Sequence, residues 1–110
     1  MPHDPTDRLQ GTLDLLVLQA LAREPAHGWA ISQRLKAASQ DVFRVGQGSL
    51  YPALHRLEER GWVTAEWGVS ELGRRARFYR LTAEGRTQLA RERTSWRTFV
   101  DAVGRVLAFA

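Results

Sequence analysis

Apolar residues recur at three- and four-residue intervals through Leu9, Leu13, Leu16, Val17, Ala20 and Leu21, which predicts one face of an amphipathic helix running to about Arg23. Pro25 and Gly28 stop it. Trp29, Ile31, Leu35 and Ala38 repeat the spacing in a shorter second helix, and 42–48, with Gly46 and Gly48, reads as a turn-like connection. Ser49 is placed to cap a third helix through its hydroxyl. Pro52 then falls in the first turn, where a missing N–H breaks no intrahelical bond. Leu50, Ala53, Leu54 and Leu57 mark the core face of that helix, and Gly61 ends it. From 62 to 67 the period changes to two, with Val63, Ala65 and Trp67 on one face and Thr64 and Glu66 on the other. A turn-rich stretch at 68–73 and an aromatic return at 77–81 complete a hairpin. Thr82 is a natural N-cap for a last helix, with Glu84 near its positive end and Gly85 a local weakness. Leu89, Trp96, Phe99, Val100, Val103, Val106, Leu107 and Ala110 carry the helical spacing to the end of the chain.

Helix, helix, helix, strand, wing, strand, long helix is the order of a mainly α fold with a small β-hairpin. It predicts a winged helix-turn-helix followed by a long C-terminal dimerisation helix. The expected divisions are a flexible N-terminal arm at 1–8, a winged helix-turn-helix domain at 9–81, and a dimerisation helix at 82–110. With 110 residues, 44% hydrophobic and 25% charged, the chain suits one small globular domain. A core that small cannot cover the apolar stripe of the last helix, so Leu89, Trp96, Phe99, Val100, Val103 and Leu107 are expected at a homodimer interface.

The net charge of +4, supplied almost wholly by arginine, adds a polyanion to the candidate partners. The third helix offers Ser49, Tyr51, Pro52, His55 and Arg56 away from its leucines, preceded by Gln47, all suited to base edges or phosphates. The hairpin adds Ser70, Arg74, Arg75 and Arg77 against the single acid Glu71, a cluster that can track phosphates, while Arg80 can pair within the protein. A bland reading stands beside each: a solvent face bearing a tyrosine, and a charged run blunting a sheet edge.

Other classes find little support. There are no cysteines, the three histidines His3, His27 and His55 are scattered, and no phosphate loop or nucleophile–base set is present. Neither a cofactor, a metal nor an enzymatic activity is therefore expected. The apolar run 15–18 is far short of a membrane span, and the expected location is cytoplasmic. The competing readings are a winged helix that binds an acidic protein, and a polyanion- or membrane-surface binder using the amphipathic last helix.

Several motifs in this order resemble the PadR family of bacterial transcriptional regulators: Gly11-Thr12-Leu13, His27-Gly28-Trp29, Gly48-Ser49-Leu50-Tyr51-Pro52-Ala53-Leu54, Leu57-Glu58-Glu59-Arg60-Gly61, Gly73-Arg74-Arg75 and Tyr79-Arg80-Leu81-Thr82-Ala83-Glu84-Gly85. Trp29 stands where that family more often has tyrosine, and Ala76 interrupts the wing's basic run. The resemblance implies a repressor-like dimer joined through C-terminal helices, with the third helix in the major groove and the wing along the minor groove or backbone. Its partner would be double-stranded DNA with a pseudo-palindromic operator. By position, DNA contacts fall on Ser49, Tyr51, Pro52 and the arginines after Gly73. The single helix after Thr82 resembles the shorter subclass. Since some members of the family respond to aromatic ligands, Trp96 and Phe99 are candidates to flank a site for a small planar effector, with Asp101 nearby for a cationic group.

Overall fold

The computed structural model describes residues 5–109, and side chains from Gly11 onward. Four helices and three short strands follow in the order α1 (Pro5–Ala20), β1 (Ala26–His27), α2 (Gly28–Ala38), α3 (Gln47–Glu59), β2 (Val63–Val69), β3 (Arg75–Leu81) and α4 (Ala83–Phe109). The expected arm at 1–8 is corrected over 5–8, which are helical. Helix α1 already begins at Pro5, whose fixed φ suits a first helical position, and residues 1–4 lie outside the described ones. The helix ends at Ala20 rather than near Arg23. There Arg34 Nη1 donates to the carbonyls of Ala20 at 2.9 Å and Glu24 at 3.1 Å, and Arg86 Nη1 donates to Ala22 O at 3.1 Å. The first satisfies an acceptor that the helix end leaves orphaned, and the other two fasten the loop that follows.

Leu15 and Leu18 of α1 with Leu21 just beyond it, Ile31 and Leu35 of α2, and Leu50, Leu54 and Leu57 of α3 meet in one core, closed by Val63, Tyr79 and Leu81 at the base of the hairpin. Strands β2 and β3 pair antiparallel from Val63↔Leu81 to Val69↔Arg75. The third strand was not expected. β1 adds Ala26↔Tyr79 and His27↔Phe78 on the other edge of β3, and two residues are too short to show a period in sequence. Its His27 also caps α2, with Nδ1 accepting the Ala30 N–H at 3.2 Å.

Four further expectations are corrected. Helix α3 begins at Gln47 and its N-cap is Gly46, not Ser49, so Pro52 lies in the second turn and leaves the Gly48 carbonyl without its usual donor. Trp29 is not a core residue: Gly28, Ile31 and Leu35 form the buried face of α2, and Trp29 is 64% exposed. Leu89 is buried against the wing domain and belongs to its core, so it is unavailable to a partner subunit. The expected N-cap of α4 is present. Thr82 Oγ1 accepts the Gly85 N–H at 3.0 Å and donates to Gly61 O at 2.7 Å. Gly85 is a packing requirement rather than a weakness, because a Cβ there would stand 1.9 Å from the Trp62 carbonyl oxygen.

Helix α4 buries only Gly85 and Leu89. At about 1.5 Å per residue its 27 residues extend roughly 40 Å, which accounts for the 54 Å long axis of the molecule.

Candidate nucleic-acid interface

Successive side chains around α3 turn by about 100°, so its leucines, facing the core, divide the rest of the helix into three regions. Gly48, Pro52 and His55 face outward, and His55 pairs with Glu59 one turn on. Tyr51 and Glu58 lie on the edge toward the hairpin, while Ser49 and Arg56 lie on the edge toward α1. Gln47 and Tyr51 line the cleft beside the hairpin, and Ser49 and Pro52 are exposed.

Arg56 does not project from the recognition face as expected. Its Nη2 donates to Asp14 Oδ1 of α1 at 2.8 Å, and its buried Nε has no partner among the described residues. Arg60 Nη1 stands 3.7 Å from the other Asp14 oxygen. A carboxylate in the first helix therefore holds α3 by its inner edge, and Arg56 is spent on that contact.

The hairpin extends beyond the core as the wing. Its turn is closed by Ser70 N–H to Arg74 O at 2.8 Å and Gly73 N–H to Ser70 O at 2.9 Å, with Gly73 at φ +74°. The Ser70 hydroxyl oxygen also accepts the Arg74 N–H at 3.3 Å, which ties this side chain to the turn and leaves its O–H free to donate. Only Arg74 lies in the turn. Arg75 and Arg77 are in β3, where alternation puts both on the face they share with Trp67 and Tyr79. Arg75 covers the Trp67 ring, its guanidinium carbon 4.8 Å from the centroid. Arg77 bonds Glu58 Oε2 of α3 at 2.9 Å and lies 5.9 Å over the Tyr79 ring. It ties the wing to α3, and among the described residues Arg74 and Arg75 remain as the wing's cations not drawn into an ion pair. On the opposite face Arg80 pairs with Glu66 at 3.8 Å. Burial raises the Tyr79 hydroxyl above its ordinary pKa, partly offset by the Arg77 charge beside it.

Between the starts of α2 and α3 and the wing lies an open cleft of about 650 Å³, bordered by Trp29, Gln47, Tyr51, Trp67, Arg74 and Arg75. Trp29 and Trp67 were missing from the expected site. The 28/31/35 spacing marks the buried face of α2 and would have placed Trp29 outside it. Trp67 follows the core alternation of β2 but lies past the end of the core, where it is 60% exposed.

The far side of the domain carries the expected dimer and effector residues. Trp96 and Phe99 lie in a tilted contact, 5.8 Å between ring centroids, and with Val100, Val103 and Leu107 they form an exposed stripe on α4. Trp96 also lines a groove of about 440 Å³ with Leu16, Phe43 and Val100, rimmed by Arg93 and Arg97. Phe99 instead borders a shallower depression with Val103 and Leu107. Asp101 is exposed and lines neither. Five residues on from Trp96, it is turned about 140° around the helix, so it cannot serve the same groove. Among the described residues no group of acids and histidines could hold a metal ion, and no helix is long and apolar enough to cross a membrane.

Comparison with known proteins agrees with this architecture. Residues 17–91 match the model of the transcriptional regulator PadR-like family. The chain is 40% identical over 79 residues to the transcriptional regulator Rv3488 of Mycobacterium tuberculosis, spanning 72% of this chain and 70% of that one. A PadR family transcriptional regulator from Eggerthella lenta superposes with a TM-score of 0.72 at 34% identity, covering 93% of this chain and 83% of that one. A PadR-like regulator from Bacillus cereus gives 0.77 at 27% identity, covering 92% and 96%.

Proposed function

Because this chain belongs to the PadR-like family of transcriptional regulators, we propose that it is a sequence-specific, DNA-binding homodimer that represses transcription until a small aromatic effector binds. The observation that carries the reading is the common cleft: Gln47 and Tyr51, from the N-terminal half of α3, and the arginines of the wing line the same opening. In this reading α3 enters the major groove with Gln47, Ser49, Tyr51, Pro52 and His55 in reach of bases and backbone. The wing follows phosphates with Arg74 and Arg75, and Arg77 holds wing and helix in register.

The α4 stripe is supplied for a second copy. Trp96, Phe99, Val100, Val103 and Leu107 expose apolar area that their own domain does not cover, and two such helices cover each other. Dimerisation holds two recognition helices about 34 Å apart, as paired half-sites require. The effector site lies in the Trp96 groove between α1, α4 and Phe43. With Arg93 and Arg97 at its rim and Asp101 turned away, an anionic aromatic suits the groove better than a cationic one. Such a ligand acts by favouring one separation of the two DNA-reading heads.

Selection of bound sequences from a random duplex library by the purified protein tests the reading. A pseudo-palindromic consensus, bound with steep salt dependence by a dimer, is the expected result. Equal affinity for all sequences, or binding by a monomer, would overturn it.

A further inference from the structure

Trp29 and Trp67 are two of the largest side chains in the protein, and both stand mostly in water, on opposite sides of the cleft between the helix starts and the wing. Neither serves the core, and each has a neighbour that borders its ring. The His27 ring, 6.4 Å from Trp29, is fixed by accepting the Ala30 N–H and by standing edge-on to Phe78 at 5.3 Å. The Trp67 face lies under the Arg75 guanidinium. Tyr51 closes the back of the cleft against Gly28, where an added Cβ would meet its hydroxyl at 2.7 Å. Two exposed aromatic walls thus border one cleft.

The geometry of a duplex indicates what belongs between them. If α3 occupies a major groove and the wing the neighbouring minor groove, the space between them is crossed by the one sugar–phosphate strand that separates the grooves. We propose that Trp29 and Trp67 clamp this strand, packing against deoxyribose while Arg74 and Arg75 meet the flanking phosphates. The inference rests on the DNA-binding reading and assigns residues to a task within it. Deoxyribose is the apolar part of the backbone, and its C–H groups suit the electron-rich face of an indole, which phosphate oxygens do not. Charge agrees with this occupant. Arginines 74, 75 and 77 line the cleft with Glu71 as its acid, and Arg77 is already neutralised by Glu58.

An uncharged wall has a distinct signature. It adds affinity for every sequence without releasing counterions, so its loss weakens binding and leaves the salt slope unchanged. Fluorescence anisotropy of a labelled 30-base-pair mixed-sequence duplex, at several salt concentrations, measures both quantities on the 110-residue chain. Trp29→Ala and Trp67→Ala should each lower affinity roughly 5- to 30-fold, from the apolar area each wall would bury. Trp29→Ala should keep the parent's salt slope, and Trp29→Phe should recover most of the lost affinity. If the parent binds and Tyr51→Ala or Arg74→Ala weakens it, while both tryptophan variants bind like the parent, the clamp is wrong and the DNA reading stands. A parent that binds no duplex overturns both. Should the alanine variants fail to fold, Trp62→Phe with Trp96→Phe leaves Trp29 and Trp67 as the emitters among four tryptophans. Duplex should quench their emission, and unchanged emission would overturn the clamp.

Discussion

Replacing Arg56 by alanine separates a residue that reads DNA from one that supports the helix that does. Arg56 Nη2 bonds Asp14 at 2.8 Å, with the arginine side chain 26% exposed and the carboxylate 12%. Without the arginine, Asp14 keeps only Arg60 at 3.7 Å, too far for a good hydrogen bond. A hydrogen bond to a charged group contributes about 1.5–3 kcal/mol, and removing one member of a fully buried pair costs about 3–5 kcal/mol. Water reaches part of this pair, so the expected loss is about 2–3 kcal/mol. In a domain of this size that lowers Tm by roughly 8–12 °C. Thermal unfolding followed by circular dichroism, for Arg56→Ala, Asp14→Ala and the double variant, measures it. The double variant should lose less than the sum of the singles, because neither charge is left behind. Duplex affinity, measured well below the melting range, should change by less than about threefold, since Arg56 touches no groove-facing surface. If Arg56→Ala melts within about 2 °C of the parent yet binds DNA tenfold or more weakly, the arginine is a reader and its assignment to Asp14 is wrong.

Gly85→Ala should be more disruptive than its position on a surface helix suggests. Its Cβ would overlap the Trp62 carbonyl, for an expected cost of at least about 2–3 kcal/mol in chemical denaturation; an unchanged midpoint would refute the close approach. Arg74→Ala combined with Arg75→Ala should weaken binding to all duplexes alike and reduce the salt slope by about two phosphate contacts. Val103→Glu should give monomers in sedimentation, with the wing domain's melting preserved, because Val103 is exposed on the α4 stripe. Tyr79 has its pKa raised by burial, so its neutral form stabilises the fold fully below the ordinary value of 10.0, and that contribution is lost as pH climbs through the raised value. Alkaline unfolding of Tyr79→Phe should lack this component.

The periodicities at 13–21, 50–57 and 63–67 were enough to place three elements of the fold and most of the core, because apolar spacing reports directly which face of a helix or strand is buried. The cap at Thr82 was legible for a similar reason, being a local contact within one turn. Tyr51, Gln47 and the wing arginines were legible as candidates because exposed polar and aromatic residues stand out against a leucine face. Sequence spacing could not say which of those side chains are already occupied. Asp14 lies 42 residues before Arg56 and Glu58 lies 19 before Arg77, and only the packing of α1 and the wing against α3 brings each pair together. The same distance effect hid the two-residue β1, which exists only because β3 offers it an edge, and made Gly85 look weak when the Trp62 backbone fills the space beside it. Asp101 shows the converse: close to Trp96 in sequence, it is carried away by the turn of the helix. The pattern along the chain determined which faces are apolar, and the tertiary structure decided which of the remaining charges and aromatics are still available to a partner.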